Sequence, residues 1–115
     1  MYIYYHNPKC SKSRAGLEFL QQKQLNFKIK NYIEEGFSEE ELNRILSKLD
    51  KNVPECLRRK DPLFKQIEQS LPSHEVKDWI AAIVKDPILM ERPILEGPKS
   101  ARIGRPTEAL AEAIL

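Results

Sequence analysis

Residues 2–30, with the sequence YIYYHNPKCSKSRAGLEFLQQKQLNFKIK, decide the fold. Residues 2–5 are aromatic and β-branched and end before an Asn-Pro pair, which predicts a buried strand. Residues 27–30 alternate between apolar and polar side chains and predict a second strand. The apolar spacing between them predicts a helix with Ser11 or Ser13 as its cap. A strand, a helix and a strand in one short stretch predict a βαβ unit whose strands are parallel.

The middle of the chain, about residues 38–90, carries helix signals and no clear strand. Ser38 opens a capping-box pattern with the glutamate three residues later. Prolines precede two predicted short helices, 55–60 and 63–69, and Ser73 is the predicted cap of a further helix. The predicted buried face of that further helix consists of Val76, Trp79, Ile80, Ile83 and Val84.

The last part of the chain returns to strands. Residues 93–95 and 100–103 flank a turn-rich segment, which predicts a hairpin, and Pro106 opens a terminal helix. The order βαβ, helical insertion and ββα predicts an α/β fold. A length of 115 residues predicts one domain, 1–115.

Composition and charge exclude several classes of protein. The 41% apolar and 31% charged residues exclude collagen-like and low-complexity chains. A net charge of +2 is too small for a protein that binds phosphate backbones, so no nucleic-acid partner is expected. The longest apolar run, 79–84, is far shorter than the roughly 20 residues of a membrane span, and the start lacks the features of a signal peptide. We therefore expect a cytoplasmic monomer with no membrane association and with free thiols.

Cys10 lies in a polar and basic loop between the predicted first strand and helix. Backbone N–H groups in the first turn of a helix carry partial positive charge, so they stabilise a thiolate and also hold oxyanions. Cys10 is therefore either a reactive thiol or a small buried residue at a strand end, and the basic flanks favour the reactive thiol. His6 is either a structural hydrogen-bonding residue or a group that tunes Cys10.

Arginines supply candidate anion-binding groups. Arg92 and Arg105 each precede a proline at an element boundary, and Arg58 and Arg59 end the predicted helix 55–60. Guanidinium groups bind tetrahedral oxyanions bidentately, but surface ion pairing is the alternative, and the pattern alone does not bring these side chains together. Cys56 is predicted to be a core residue, and no zinc-ligand spacing is present.

Four segments resemble, in order, the glutaredoxin-dependent arsenate reductases, the ArsC-like family, and the short form is similar to the arsenate-reductase-like subgroup. The segments are residues 6–14, 57–60, 91–94 and 103–106. The resemblance covers almost the whole chain. It implies a thioredoxin-like fold with a helical insertion between the two halves, and a cis proline at Pro93.

The resemblance also implies the roles of single residues. Arg59 is matched rather than Arg58, because the family arginine directly precedes the lysine matched by Lys60. The implied catalytic residues are Cys10 as the nucleophile, His6 and Ser13, and the implied oxyanion-binding residues are Arg59, Arg92 and Arg105.

The activity implied by the resemblance is the reduction of arsenate to arsenite through a thiol–arsenate intermediate on Cys10. Glutathione is the implied co-substrate, glutaredoxin the implied protein partner, and no tightly bound cofactor or metal is expected. One alternative is a redox-responsive regulator of the Spx type that binds RNA polymerase, although such regulators typically carry C-x-x-C where Ser13 stands here. Another is a related thiol oxidoreductase with a different oxyanion or a disulfide as its substrate.

Overall fold

The computed structural model describes residues 1–115 and contains a four-stranded mixed sheet. The order across the sheet is β2-β1-β3-β4; β1 and β2 are parallel, and the other two pairs are antiparallel. The predicted βαβ unit and the predicted hairpin are therefore confirmed. The strands are β1 Tyr2–His6, β2 Phe27–Asn31, β3 Ile94–Glu96 and β4 Ala101–Ile103.

Helices lie between and after these strands. The α-helices are α1 Ser11–Gln22, α2 Tyr32–Glu35, α3 Glu39–Lys48, α4 Pro62–Ser70 and α5 Val76–Lys85, and the 3₁₀ helices are Val53–Cys56, Pro87–Leu89 and Thr107–Ala113. The α/β class with a helical insertion is confirmed, but the insertion begins before residue 38. The earlier start has a local cause, because the Asn31 side chain accepts the N–H groups of Ile33 and Glu34 and so caps the single turn of α2. None of the helices is long and apolar enough to cross a membrane.

Both faces of the sheet are buried. Adjacent residues of β1 point to opposite faces, so each contacts a different hydrophobic cluster. Tyr4 packs with Leu20 of α1 and Leu110 of the terminal 3₁₀ helix on one face. Tyr5 packs on the other face with the insertion, in a cluster of 17 buried residues that includes Trp79. Burial of such aromatic and aliphatic side chains is the main favourable contribution to folding.

A buried carboxylate joins the insertion to the sheet. Glu96 of β3 is 2% exposed, and it accepts hydrogen bonds from Tyr5 Oη at 2.7 Å, Arg44 Nε at 2.6 Å and Lys48 Nζ at 2.7 Å. Burial raises the pKa of Glu96, but these donors outweigh burial and hold the pKa at about 2. Since Arg44 and Lys48 belong to α3, this cluster fixes the insertion against β3.

The first half of the insertion confirms two predictions and corrects one. The capping box at Ser38 and the helix that begins at Pro62 are present. The predicted helix 55–60 is wrong: the 3₁₀ helix ends at Cys56, because Leu57 then pairs with Met90, so Arg58 and Arg59 do not lie at a helix terminus.

The start and the buried face of α5 also differ from prediction. Glu75, not Ser73, occupies the cap position of α5. Val76 and Val84 were predicted to be buried, but they are 51% and 43% exposed. They lie at the margins of the helix face, whose centre, Trp79, is buried as predicted.

Three of the candidate site residues predicted from the sequence lie at one edge of the sheet. The parallel strands β1 and β2 both end there, with His6 opposite Asn31. Because β3 runs antiparallel to β1, it begins at that edge, and β4 ends there. The segments that follow β1, precede β3 and follow β4 carry Cys10, Arg92 and Arg105, so the topology brings these three residues together.

Candidate active site

Cys10 is the N-cap residue of α1, at the end of a tight loop. Its N–H donates to the Asn7 carbonyl at 3.0 Å, and its own carbonyl accepts the N–H of Arg14 at 3.0 Å. The Asn7 side chain accepts the N–H of Lys9 at 3.1 Å, which fixes the turn. The prediction that Ser11 or Ser13 caps this helix is wrong, because the cap position belongs to the cysteine itself.

Ser13 joins the first turn of α1 to the end of β1. It is fully buried; its Oγ accepts the N–H of Asn7 at 2.9 Å and lies 2.8 Å from His6 Nδ1. The Tyr4 hydroxyl donates to the Ser13 carbonyl at 2.5 Å. Burial, followed by the charge of Arg14, holds the pKa of His6 below its ordinary value, so the imidazole is neutral at pH 7. Both residues brace the cysteine loop in this structure, and their catalytic roles remain predictions.

Arg92 contacts the cysteine directly. Its Nε donates to Cys10 Sγ at 3.0 Å, and the Cys10 side chain is buried, at 8% exposed. Arg92 is the second residue before β3, and its peptide bond to Pro93 is cis, as the resemblance implies.

The surroundings of Cys10 favour its thiolate form. Burial alone raises the pKa of the Cys10 thiol, because an apolar environment disfavours charge. The N–H groups of Ser13 and Lys12 and the guanidinium of Arg92 outweigh burial, so the pKa lies below its ordinary value. This is the combination of helix terminus and cation that activates cysteine nucleophiles.

An open groove of about 760 Å³ lies beside Arg92. Six basic and three acidic side chains line it, which gives the groove a positive potential that attracts anions. The basic residues are Lys51, Arg58, Arg59, Lys60, Arg92 and Arg105, and the acidic residues are Glu55, Asp61 and Glu91.

The predicted oxyanion-binding arginines all line this groove, but their side chains make different contacts. Arg92 contacts Cys10, whereas Arg105 Nε donates to the Arg92 carbonyl at 2.8 Å and pairs with Glu91 at 3.1 Å. Arg59 is exposed and makes no ion pair. Arg58 also lines the groove, but it pairs with Asp61 at 3.5 Å. The structure therefore brings the three predicted arginines to one groove and adds Arg58 to its lining.

Cys56 lies in a different environment. It is fully buried and unbridged, which confirms the prediction of a core residue. Burial raises the pKa of its thiol to about 11. No group of three or more His, Cys, Asp or Glu side chains is arranged to hold a metal ion.

Tyr32 lies at the same edge of the sheet as the Cys10 loop, and the sequence analysis did not single it out. It is 1% exposed, and its hydroxyl has no hydrogen-bond partner. The charges of Arg92, Cys10, Arg58 and Glu91 also act on the pKa of its phenol. Its position directly after a strand parallel to β1 is the sequence signal that points to this edge of the sheet.

Comparison with known proteins shows which family this chain resembles along almost its whole length. A family model described as the ArsC family matches residues 5–113. The chain belongs to the ArsC family. Among its relatives, a protein named arsenate reductase from Haemophilus influenzae is 36% identical over 113 residues, covering 97% of each chain. The Escherichia coli protein YfgD, described as uncharacterized, is 37% identical over 111 residues, covering 96% of this chain and 93% of its own.

A solved structure shares the fold of this ArsC-family chain. The structure, titled arsenate reductase from Vibrio cholerae, superposes with a TM-score of 0.90 at 36% sequence identity, and the match covers 98% of this chain and 97% of that one. The thioredoxin-like α/β fold implied by the resemblance is thereby confirmed.

Proposed function

We propose that this protein reduces arsenate to arsenite with Cys10 as its nucleophile. The observation that carries the proposal is the contact between Cys10 Sγ and Arg92 Nε at 3.0 Å, since Arg92 also lines a groove rich in arginine. One cation there stabilises the thiolate and belongs to the set that faces an incoming anion. Family membership and the relatives named arsenate reductase support arsenate as that anion.

The first step is a substitution at arsenic. The Cys10 thiolate attacks the arsenic of HAsO₄²⁻, an S–As bond forms, and an As–O bond breaks. The departing oxygen takes up a proton and leaves as water, so arsenic stays in its +5 state. Arg59, Arg92 and Arg105, with the N–H groups at the start of α1, offset the negative charge of the substrate.

The second step is the reduction. Glutathione attacks the Cys10 sulfur, the S–As bond breaks, and its electron pair remains on arsenic, which leaves as arsenite. Two sulfurs are thereby oxidised to a mixed disulfide between Cys10 and glutathione. A glutaredoxin thiolate then takes the glutathionyl group and regenerates the Cys10 thiolate.

External thiols are required because the chain has no second sulfur at the site. Ser13 occupies the position where a C-x-x-C motif would place one, and Cys56 is buried with a raised pKa. Glutathione is therefore a co-substrate rather than a bound cofactor. We place the reaction in the cytoplasm, where thiols are kept reduced, and a monomer suffices because one chain supplies every residue of the site.

The direct test is a coupled assay with arsenate, glutathione, glutaredoxin, glutathione reductase and NADPH. Wild-type protein should oxidise NADPH only when arsenate, glutathione and glutaredoxin are all present, and arsenite should accumulate. Cys10→Ser is the matched inactive variant. Arsenate-dependent oxidation that persists in Cys10→Ser would contradict the mechanism. An inactive wild-type protein that retains RNA polymerase α-subunit in a pull-down would favour the Spx-type alternative.

A further inference from the structure

Tyr32 lies where the chain leaves β2 and enters α2. Its neighbour Asn31 pairs with His6 in the parallel β1–β2 ladder. The carboxyl ends of adjacent parallel strands lie at one edge of a sheet, and that edge is the usual place for ligands in α/β proteins. The backbone thus brings Tyr32 to the same edge as the Cys10 loop.

The hydroxyl of Tyr32 is buried and unpaired. The residue is 1% exposed, and its ring stacks on Phe37 with centroids 5.1 Å apart, so the orientation of the phenol is fixed. Buried hydroxyl groups nearly always have a hydrogen-bond partner, because leaving one unpaired costs free energy. The Tyr32 hydroxyl has no such partner among the side chains and backbone of this protein.

A second unpaired donor belongs to the same site. Arg92 uses Nε to contact Cys10 Sγ, but its buried Nη1 has no partner. The charges of Arg92, Cys10 and Arg58 all act on the Tyr32 phenol. The indole nitrogen of Trp79 is also buried and unpaired, but Trp79 belongs to α5 and stacks on Phe64 of α4, within the insertion. Tyr32 differs from Trp79 because it directly follows β2, at the edge of the sheet where β1 leads into the Cys10 loop.

We propose that the Tyr32 hydroxyl binds the substrate, donating a hydrogen bond to an oxygen of the tetrahedral oxyanion that Arg92 holds beside Cys10. An oxyanion supplies acceptors for both unpaired donors, because each of its oxygens carries lone pairs that accept hydrogen bonds. The assignment of arsenate as that oxyanion rests on the proposed function. The role of Tyr32 in binding a tetrahedral oxyanion rests on the geometry of the site.

The phenol has the protonation state that this role needs. Burial raises the pKa of Tyr32 to about 12, although the nearby charge of Arg92 lowers it. The hydroxyl therefore keeps its proton at neutral pH and acts as a neutral donor. A neutral donor suits a site in which the Cys10 thiolate and the oxyanion are both negative.

The Tyr32 hydroxyl is expected to contribute to oxyanion binding but not to the stability of the free protein. In the free protein the Tyr32 hydroxyl makes no hydrogen bond, so Tyr32→Phe removes only an unpaired buried polar group. Tyr5 offers the matched control, because its hydroxyl donates to Glu96 at 2.7 Å in the cluster that holds α3. Tyr5→Phe removes a hydrogen bond that the free protein does make.

The experiment measures three quantities for the wild type, Tyr32→Phe and Tyr5→Phe. They are the arsenate or phosphate concentration that half-protects Cys10 from iodoacetamide, the kcat and KM for arsenate, and the thermal unfolding midpoint. Tyr32→Phe should raise the protecting concentration and the KM by roughly 10- to 100-fold, the range for a hydrogen bond to a charged group. Its unfolding midpoint should stay the same or rise. Tyr5→Phe should lower the unfolding midpoint and leave protection unchanged.

The outcomes distinguish this proposal from the proposed function. If wild type reduces arsenate but protection and KM in Tyr32→Phe stay within twofold of wild type, the role of Tyr32 is overturned and the function stands. If wild type reduces no arsenate but phosphate protects Cys10 in a manner that depends on Tyr32, the role of Tyr32 stands and the function fails. If neither oxyanion protects wild-type Cys10, the role of Tyr32 is overturned as well.

Discussion

Cys10 and Cys56 are both buried, at 8% and 0% exposed, and burial raises the pKa of both thiols. At Cys10, the N–H groups of α1 and the Arg92 guanidinium face the sulfur and reverse the direction of the shift. The Cys56 thiol instead donates to the Asn52 carbonyl at 3.4 Å, and carbonyl oxygens disfavour a thiolate.

The comparison teaches that burial alone does not decide whether a cysteine in this chain is reactive. The nearby dipoles and charges decide it. Cys10 lies at a helix N-terminus, where N–H groups are free, whereas the Cys56 thiol contacts the carbonyl oxygens of Lys51 and Asn52. The account predicts that the two regions respond oppositely to the same perturbations.

The largest difference is expected between serine substitutions of the two cysteines. Cys10→Ser should lower arsenate reduction at least about 1000-fold, because the nucleophile is removed. Cys56→Ser should keep most of the activity per folded molecule, since the thiol lies in the core. The coupled assay, normalised to folded protein by circular dichroism, measures both. A comparable loss in Cys56→Ser would show that Cys56 takes part in the chemistry.

Arg92 is the residue that makes the environment of Cys10 different, so its removal should have the next largest effect. Arg92→Ala should lower kcat/KM for arsenate by roughly 100-fold, because thiolate stabilisation and anion binding are lost together. The pKa of Cys10, measured by the pH dependence of alkylation, should rise in the same variant. An unchanged alkylation profile would show that Arg92 does not act on the sulfur in solution.

Variants of the remaining arginines test which of them bind the oxyanion. Arg59→Ala and Arg105→Ala should each raise the arsenate KM by roughly 10-fold, the lower end expected for a charge-assisted hydrogen bond. Arg58→Ala should change the KM about twofold or less, since Arg58 is paired with Asp61. Steady-state kinetics of the three variants test this. Equal losses for Arg58 and Arg59 would mean that both arginines bind the oxyanion.

The smallest predicted effect is that of the Cys56 thiol on the free energy of unfolding at high pH. The folded pKa of Cys56 is about 11, above the value of about 8.5 for a free thiol. Between these pH values the unfolded chain has lost a proton that the folded chain keeps, so stability falls as pH rises. From pH 8 to pH 10, wild type should lose about 1 to 2 kcal/mol more than Cys56→Ala. Urea unfolding at both pH values measures the difference, and equal losses would contradict a raised pKa at Cys56.

Local patterns predicted the local structure. The alternation in residues 27–30 and the capping box at Ser38 depend on near neighbours in the sequence, and both predictions were confirmed. The helix predicted for residues 55–60 failed because Leu57 pairs with Met90, which is distant in sequence. The exposure of Val76 was also unpredictable from helix periodicity, because the packing partner determines the width of a buried face.

The site was predictable to different extents. The basic flanks of Cys10 indicated a reactive thiol, since its environment is largely local. The residues alone did not bring the arginines together, and only the family resemblance assigned Arg59, Arg92 and Arg105 to one site. Tyr32 carried no motif, because an unpaired hydroxyl exists only after the chain has folded.

The pH dependence of Cys10 alkylation tests the central claim most directly. In the Cys56→Ala background, the rate of iodoacetamide modification reports the Cys10 thiolate alone. The account predicts a midpoint clearly below the free-thiol value of about 8.5. A midpoint at or above that value would contradict the claim that the helix N-terminus and Arg92 hold Cys10 as a thiolate.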